Sequence, residues 1–242
     1  MSTSGATDGM ILVPDPADRD DLRTLLRRIL RLDEAAVVRL TSVDEGRMRV
    51  WARTPFGALA VRVLRGDCPG GDVVCGADHL LTELDILPRG DADGALDPGM
   101  PLLSAWQGLL PPADGFHPVE NVPAQVLLDL TESGRTAARE NAGPAGLPPS
   151  LLDQVALTVR ADTDAPVGID MRTVFSLVMC GFVPERGGKA PEGEPVRVSE
   201  RGAWLRIDAR YGTVYRRTAR KRRRYRLGEN LPPEREPSNQ KQ

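Results

Sequence analysis

Leu22, Leu25, Leu26, Ile29 and Leu30 recur at the spacing of one helical face, and Asp15 ahead of Pro16 marks where that helix starts. Asp18, Asp20 and Asp21 fall in its first turns and Arg27, Arg28 and Arg31 near its end, matching the macrodipole. The pattern then shortens to period two. Ala36 to Val43 and Arg47 to Thr54 read as strands around the turn Asp44, Glu45 and Gly46, and Ala58 to Arg65 reads as a third after Pro55 and Gly57. In the second of these strands Met48, Val50 and Ala52 share one face, while Arg47, Arg49, Trp51 and Arg53 share the other.

Asp72 to Cys75 reads as a short fourth strand, followed by a helix from Ala77 to Leu87. Pro88 to Pro112, rich in Gly, Pro and Asp, reads as an irregular connection and the best hinge. Beyond it a long helix is expected from about Pro123, with Val126, Leu127 and Leu130 inward, ending before Gly143. A turn at Ser150 to Gln154, a strand at Val155 to Arg160, a helix at Met171 to Phe182 and two strands, Pro195 to Ser199 and Ala203 to Ala209, complete the order. This order predicts an α+β protein: an antiparallel sheet packed by helices, then a helix and β-hairpin unit. The expected divisions are a disordered 1–9, an N-terminal domain over 10–110, a C-terminal domain over 111–215 and a disordered tail over 216–242.

Helix, strand, helix and hairpin in that order invite comparison with a winged helix. The buried stripe Met171, Val174, Phe175, Val178, Met179 and Phe182 leaves the opposite face of that helix little positive charge, which argues against base reading.

Charge changes the picture at one place. Eight of the eleven residues from Arg216 to Arg226 are basic, and since the net charge is −2, everything outside the run is acidic in sum. Arg216, Arg217, Arg220, Lys221, Arg222, Arg223, Arg224 and Arg226 are therefore the candidate nucleic-acid-binding residues, in salt-sensitive contact with phosphates and with Tyr215 and Tyr225 available for stacking. Arg47, Arg49, Trp51 and Arg53 form a secondary candidate surface, because guanidinium and indole groups pack on planar rings. A half-buried sheet with long polar side chains outside predicts the same alternation without any ligand.

Catalytic equipment is sparse. His79 and His117 are the two histidines; no nucleophile elbow, phosphate-cradling glycine loop or paired-histidine motif occurs, so no catalytic residue is assigned. Cys68, Cys75 and His79 lack the spacing of a zinc site, and the pairs Asp91 with Asp93 and Asp162 with Asp164 lie in turns that favour Asp anyway. No metal or cofactor is expected. Three cysteines in a chain of this length fit a reducing cytoplasm, and no apolar run reaches membrane-spanning length.

Four segments carry a resemblance: Leu25 to Leu40, "LPPADGFHPVENVPAQVLLDL" from Leu110 to Leu130, "SLLDQ" from Ser150 to Gln154, and "AWLRIDARYGTVYRR" from Ala203 to Arg217. With these the chain resembles an uncharacterised family of actinobacterial proteins. The resemblance implies no activity and assigns no functional residue. The expectation from sequence is thus an intracellular, non-catalytic binding or regulatory protein that touches nucleic acid or another polyanion through its Arg-rich segment. The alternatives are an adaptor whose tail engages an acidic protein surface, including a second copy of itself, and an enzyme with a site between the halves built around His117. The oligomeric state is left open.

Overall fold

A computed structural model describes residues 9–44, 46–88, 90–141, 149–160 and 166–218. In chain order the elements are β1 (Ile11–Leu12), α1 (Pro16–Leu32), β2 (Val37–Asp44), β3 (Arg47–Arg53), β4 (Leu59–Arg65), β5 (Asp72–Gly76), α2 (Ala77–Ile86), β6 (Ala95–Leu96), β7 (His117–Pro123), α3 (Ala124–Asn141), α4 (Pro149–Leu152), β8 (Val155–Val159), β9 (Val167–Asp170), α5 (Met171–Met179), β10 (Pro195–Arg201), β11 (Trp204–Ala209) and β12 (Gly212–Arg217). The α+β class stands, with every ladder antiparallel.

One eight-stranded sheet runs through both halves in the order β5-β2-β3-β4-β12-β11-β10-β7. Each half contributes a three-strand meander, β2-β3-β4 or β10-β11-β12, and the two meet at their third strands, where Val214 pairs with Ala60. Each meander is preceded by a helix, α1 or α5, and flanked by a strand that leads into a second helix, β5 into α2 or β7 into α3. The halves are therefore the same two blocks in opposite chain order. Each also carries a small ladder, β1 with β6 or β8 with β9.

The helix before each meander starts the same way. Asp15 caps α1, accepting the Ala17 N–H at 2.8 Å, and Asp170 caps α5, accepting the Thr173 N–H at 2.9 Å. An arginine from the third strand holds each cap: Arg65 of β4 lies 2.8 Å from Asp15, and Arg216 of β12 lies 2.7 Å from Asp170.

One face of the sheet is buried under the helices. Val38 and Leu40 of β2, Met48 and Val50 of β3, Ala60 and Leu64 of β4, and Val196, Val198, Leu205, Ile207 and Val214 share a single apolar cluster with Leu22, Leu25, Leu26 and Ile29 of α1, Leu127 of α3 and Val174 and Leu177 of α5. Close approaches fix details of this layer. Val13 donates to the Gly94 carbonyl, and Gly94 has φ of +59° with the Val13 carbonyl oxygen 1.9 Å from where a Cβ would sit, so only glycine fits. Among the described residues no helix is long and apolar enough to cross a membrane.

Five strands differ from the sequence expectation, two of them the short pair β1 and β6. β7 occupies the stretch expected to lead into the long helix, β9 precedes α5, and β12 extends the terminal hairpin into a meander. The last of these is consequential, because Arg216 and Arg217 are strand residues in the middle of the sheet.

Candidate partner-binding face

Alternation along the strands sends a second set of side chains to the face opposite the helices. One register row crosses all eight strands, Asn121, Arg197, Asp208, Thr213, Val61, Trp51, Arg39 and Val74. The neighbouring row runs Pro118, Ser199, Arg206, Tyr215, Leu59 and Arg53. At the centre Trp51, Val61 and Tyr215 are buried together, packed with Leu59, Trp106, Leu110, Phe116 and Trp204. Trp51 and Tyr215 rings lie 5.7 Å apart, and Phe116 meets Tyr215 edge-on at 5.6 Å.

Trp106, Leu110 and Phe116 come from the connection between the halves, which runs over this face as a strap. Residues 98–113 contain no charged side chain. Leu102 donates to the Val74 carbonyl at 2.9 Å, Arg39 stands 6.0 Å over the Trp106 ring, Arg53 donates to the Gln107 carbonyl, and Arg201 donates to the Asp114 carbonyl. The segment expected to be a hinge is thus tied down at three of these points, with the Asp114 contact just beyond it. It still leaves Leu109 73% exposed and Met100 80% exposed.

Between strap and sheet lies a cleft of about 210 Å³ with Leu59, Leu109, Trp204 and Tyr215 as apolar lining and Arg53, Gln107 and Arg217 as its polar part. An apolar slot bordered by two guanidinium groups suits a short segment that carries a large apolar side chain beside a carboxylate. Burial pushes the Tyr215 phenol up from its ordinary range, so it stays neutral at physiological pH.

The sequence-derived candidates fall in different places. Arg217 borders this cleft, whereas Arg216 points to the helix side, where it pairs with Asp170 and donates to the Gly57 carbonyl at 3.2 Å. Arg220, Lys221, Arg222, Arg223, Arg224 and Arg226 lie outside the described residues, as do Tyr225, Asp162 and Asp164. Of the secondary surface, Arg47 pairs with Asp44, Arg53 holds the strap, Arg49 is half-buried, and Trp51 is buried with its Nε1 donating to Thr41 at 3.0 Å.

Cys68, Cys75 and His79 do separate work. Cys68 approaches the Ser42 hydroxyl at 3.5 Å, burial pushes the Cys75 thiol up to about 12, and a His79 ring nitrogen meets the Asp97 carbonyl at 3.1 Å. His117 lies exposed on β7 opposite Glu200. Among the described residues no three metal-ligating side chains converge. Sequence reasoning missed Tyr215 as part of a sheet, and with it Leu59, Leu109, Phe116, Trp204 and Arg206. The alternation of Trp204, Arg206 and Asp208 against Leu205 and Ile207 was the available signal.

Residues 6–108 match the family described as Domain of unknown function (DUF8010), and residues 111–221 match Domain of unknown function (DUF8185). No curated protein sequence matches the chain. Solved structures do. The chain is similar to the DNA polymerase sliding clamp of Caulobacter crescentus, with TM-score 0.51 and 12% identity over 86% of this chain and 65% of the clamp. It is similar also to the sliding clamp of Bartonella birtlesii bound to griselimycin, with TM-score 0.51 and 14% identity over 87% of this chain and 64% of that one. The DNA polymerase III beta subunit of Thermotoga maritima matches at TM-score 0.50 and 12% identity over 86% and 64%. The fold is thus that of sliding clamps, and the chain spans about 65% of the length of the first clamp it matches.

These neighbours correct the functional expectation. A polyanion-binding regulator working through its Arg-rich segment, a tail-driven adaptor and an enzyme with a site between the halves all placed function outside the folded body or in a cleft through it. The likeness to sliding clamps instead covers 86% of the chain, so it lies in the folded body. That body has a sheet running unbroken from one half into the other, with β4 hydrogen-bonded to β12.

Proposed function

We propose that the protein is a scaffold of the sliding-clamp type, one that presents its outer sheet face to a protein partner in work on DNA. The observation that carries this is the fold itself, shared with DNA polymerase sliding clamps over 86% of the chain. The cleft under Leu109 is where the partner is read to dock, with an apolar side chain against Leu59, Trp204 and Tyr215 and an acidic group between Arg53 and Arg217.

Two guanidinium groups at the cleft offer a place for an acidic group, while other arginines of the same face are already paired, Arg39 with Asp72 and Arg206 with Asp208. On the sheet face, Arg53 spends one donor on a backbone carbonyl and keeps its charge, and Arg217 is exposed at the cleft.

Peptide display against the full-length protein tests the proposal. Enriched peptides should combine Leu or Phe with Asp or Glu. Leu109→Ser, at an exposed position, should weaken them about tenfold, as loss of one buried apolar contact predicts. Enriched peptides that bind Leu109→Ser and Arg217→Gln variants as well as the parent would remove the cleft from the account.

A further inference from the structure

A second cleft, of about 570 Å³, opens on the other side of Phe116, and its lining includes Asn121, Arg197, Ser199, Arg206 and Asp208. Its polar groups are set in advance. The Arg206 Nε donates to the Asp208 carboxylate at 2.9 Å, and the same carboxylate oxygen accepts the Thr213 hydroxyl at 2.6 Å. The guanidinium lies 5.7 Å from the Phe116 ring centroid and 5.8 Å from that of Tyr215, so two aromatic rings and an acid fix its plane. Among the described residues its two terminal amino groups have no hydrogen-bond partner.

Ser199 sits directly across from Arg206, 5% exposed, and among the described residues its hydroxyl has no partner. Arg197, exposed, stands one row over between Asp208 and Asn121. Two carboxylates also line or touch the cleft, and both are engaged. Asp208 holds Arg206 and Thr213, and Glu120 accepts the Arg160 N–H at 2.9 Å.

We infer that this cleft binds a carboxylate from an acidic side chain of the partner segment. A rigid guanidinium with its outer fork free, a free serine hydroxyl beside it and a second guanidinium at the rim match the planar, two-oxygen acceptor of a carboxylate. The identity of the partner segment rests on the scaffold proposal above. Ser199, Arg206, Tyr215 and Leu59 are consecutive neighbours across four strands, which puts Ser199 of one cleft about 14 Å from Leu59 of the other at the usual strand spacing. About four residues of extended chain cover that distance. One segment with a leucine-like residue and, some four positions away, an acidic residue reaches both clefts across Phe116.

The test uses full-length protein and a fluorescent hexapeptide carrying one leucine and, four residues on, two glutamates. One analogue has glutamines for the glutamates, and another has serine for the leucine. The glutamine analogue and the Arg206→Gln variant should each weaken binding about tenfold, and combining them should weaken it no further. Arg197→Gln, which touches neither Phe116 nor Tyr215, should show the same loss of glutamate dependence to a smaller extent.

Full glutamate dependence retained in both arginine variants overturns the inference, as does failure of the parent peptide to bind. Stronger displacement by inorganic phosphate than by acetate also overturns it, by assigning the cleft to a phosphate. Coupling between glutamate and Arg206 without any dependence on the leucine upholds this cleft and sinks the Leu109 cleft. Dependence on the leucine alone does the reverse.

Discussion

Replacing Asp170 by alanine removes two structural roles at once. The Asp170 Oδ1 atom caps α5, accepting the Thr173 N–H at 2.9 Å and the Thr173 hydroxyl at 2.6 Å, and Oδ2 pairs with Arg216 at 2.7 Å. Loss of an N-cap costs about 1 kcal/mol. The ion pair lies between the surface and the buried limits, its side chains 18% and 21% exposed. Breaking a fully buried pair costs about 3–5 kcal/mol, and an exposed pair contributes under about 1, so stranding Arg216 here costs about 2. The expected total is about 3 kcal/mol, or a fall in Tm of about 9 °C for a chain of this size. Arg216→Gln should cost about 2 kcal/mol, and the double variant should cost clearly less than the two singles summed, with a coupling of about 1.5 kcal/mol. Urea unfolding followed by circular dichroism measures all three. Additivity within about 0.3 kcal/mol would refute the reasoning, because it would mean that Arg216 is not held by Asp170 and is free for another role.

Other expectations follow from single contacts. Gly94→Ala places a Cβ 1.9 Å from the Val13 carbonyl oxygen at a φ of +59°, and should lower stability by about 3 kcal/mol or more in the same urea assay. Ser176→Ala loses the 3.0 Å contact with the Thr54 hydroxyl, which keeps a second partner in the Ala58 carbonyl at 3.1 Å, so the cost should be about 1 kcal/mol. Burial holds the Cys75 and Cys180 thiols up at about 12 against an ordinary 9.0. Their burial therefore adds stability that is complete below pH 9 and is lost as the pH rises toward 12, while the folded protein at pH 8 should resist iodoacetamide at both thiols until urea unfolds it. Mass spectrometry of alkylated protein reads the last point, and rapid labelling of the folded chain would contradict the burial.

The N-terminal meander was legible because its signals are local. Asp15, Pro16 and the apolar stripe mark α1, and the turns at Gly46 and Gly57 separate strands of clean alternation. The strands that escaped notice are those whose signals are not. β7 reads HPVENVP, with a proline near each end, an edge-strand composition that propensity alone ranks as loop. β12 ends in two arginines of opposite orientation. Arg216 turns inward because an aspartate 46 residues earlier in the chain receives it, and nothing in the run from Arg216 to Arg226 discloses that partner. The strap escaped for a related reason: its Pro and Gly content reads as freedom, while Val74, Arg39, Arg53 and Arg201 of the sheet hold it in place.

The opposite chain order of the two halves hides the repeat along the linear sequence. In the first half the meander precedes its flanking strand and helix, and in the second it follows them. A linear alignment of the halves would therefore pair α1 with α3, whereas the shared architecture pairs α1 with α5 through the cap, the third-strand arginine and the meander. This arrangement also dictates where a functional face can form. Joining the two third strands puts Tyr215 of one half beside Leu59 of the other, so the apolar centre of the outer face exists only when both halves are present. The strap must start at one flank of the sheet, where Leu102 meets β5, and end at the other, where β7 begins, and so it crosses that centre. Both clefts lie along its path, which makes the connection between the halves part of the proposed docking surface rather than a spacer.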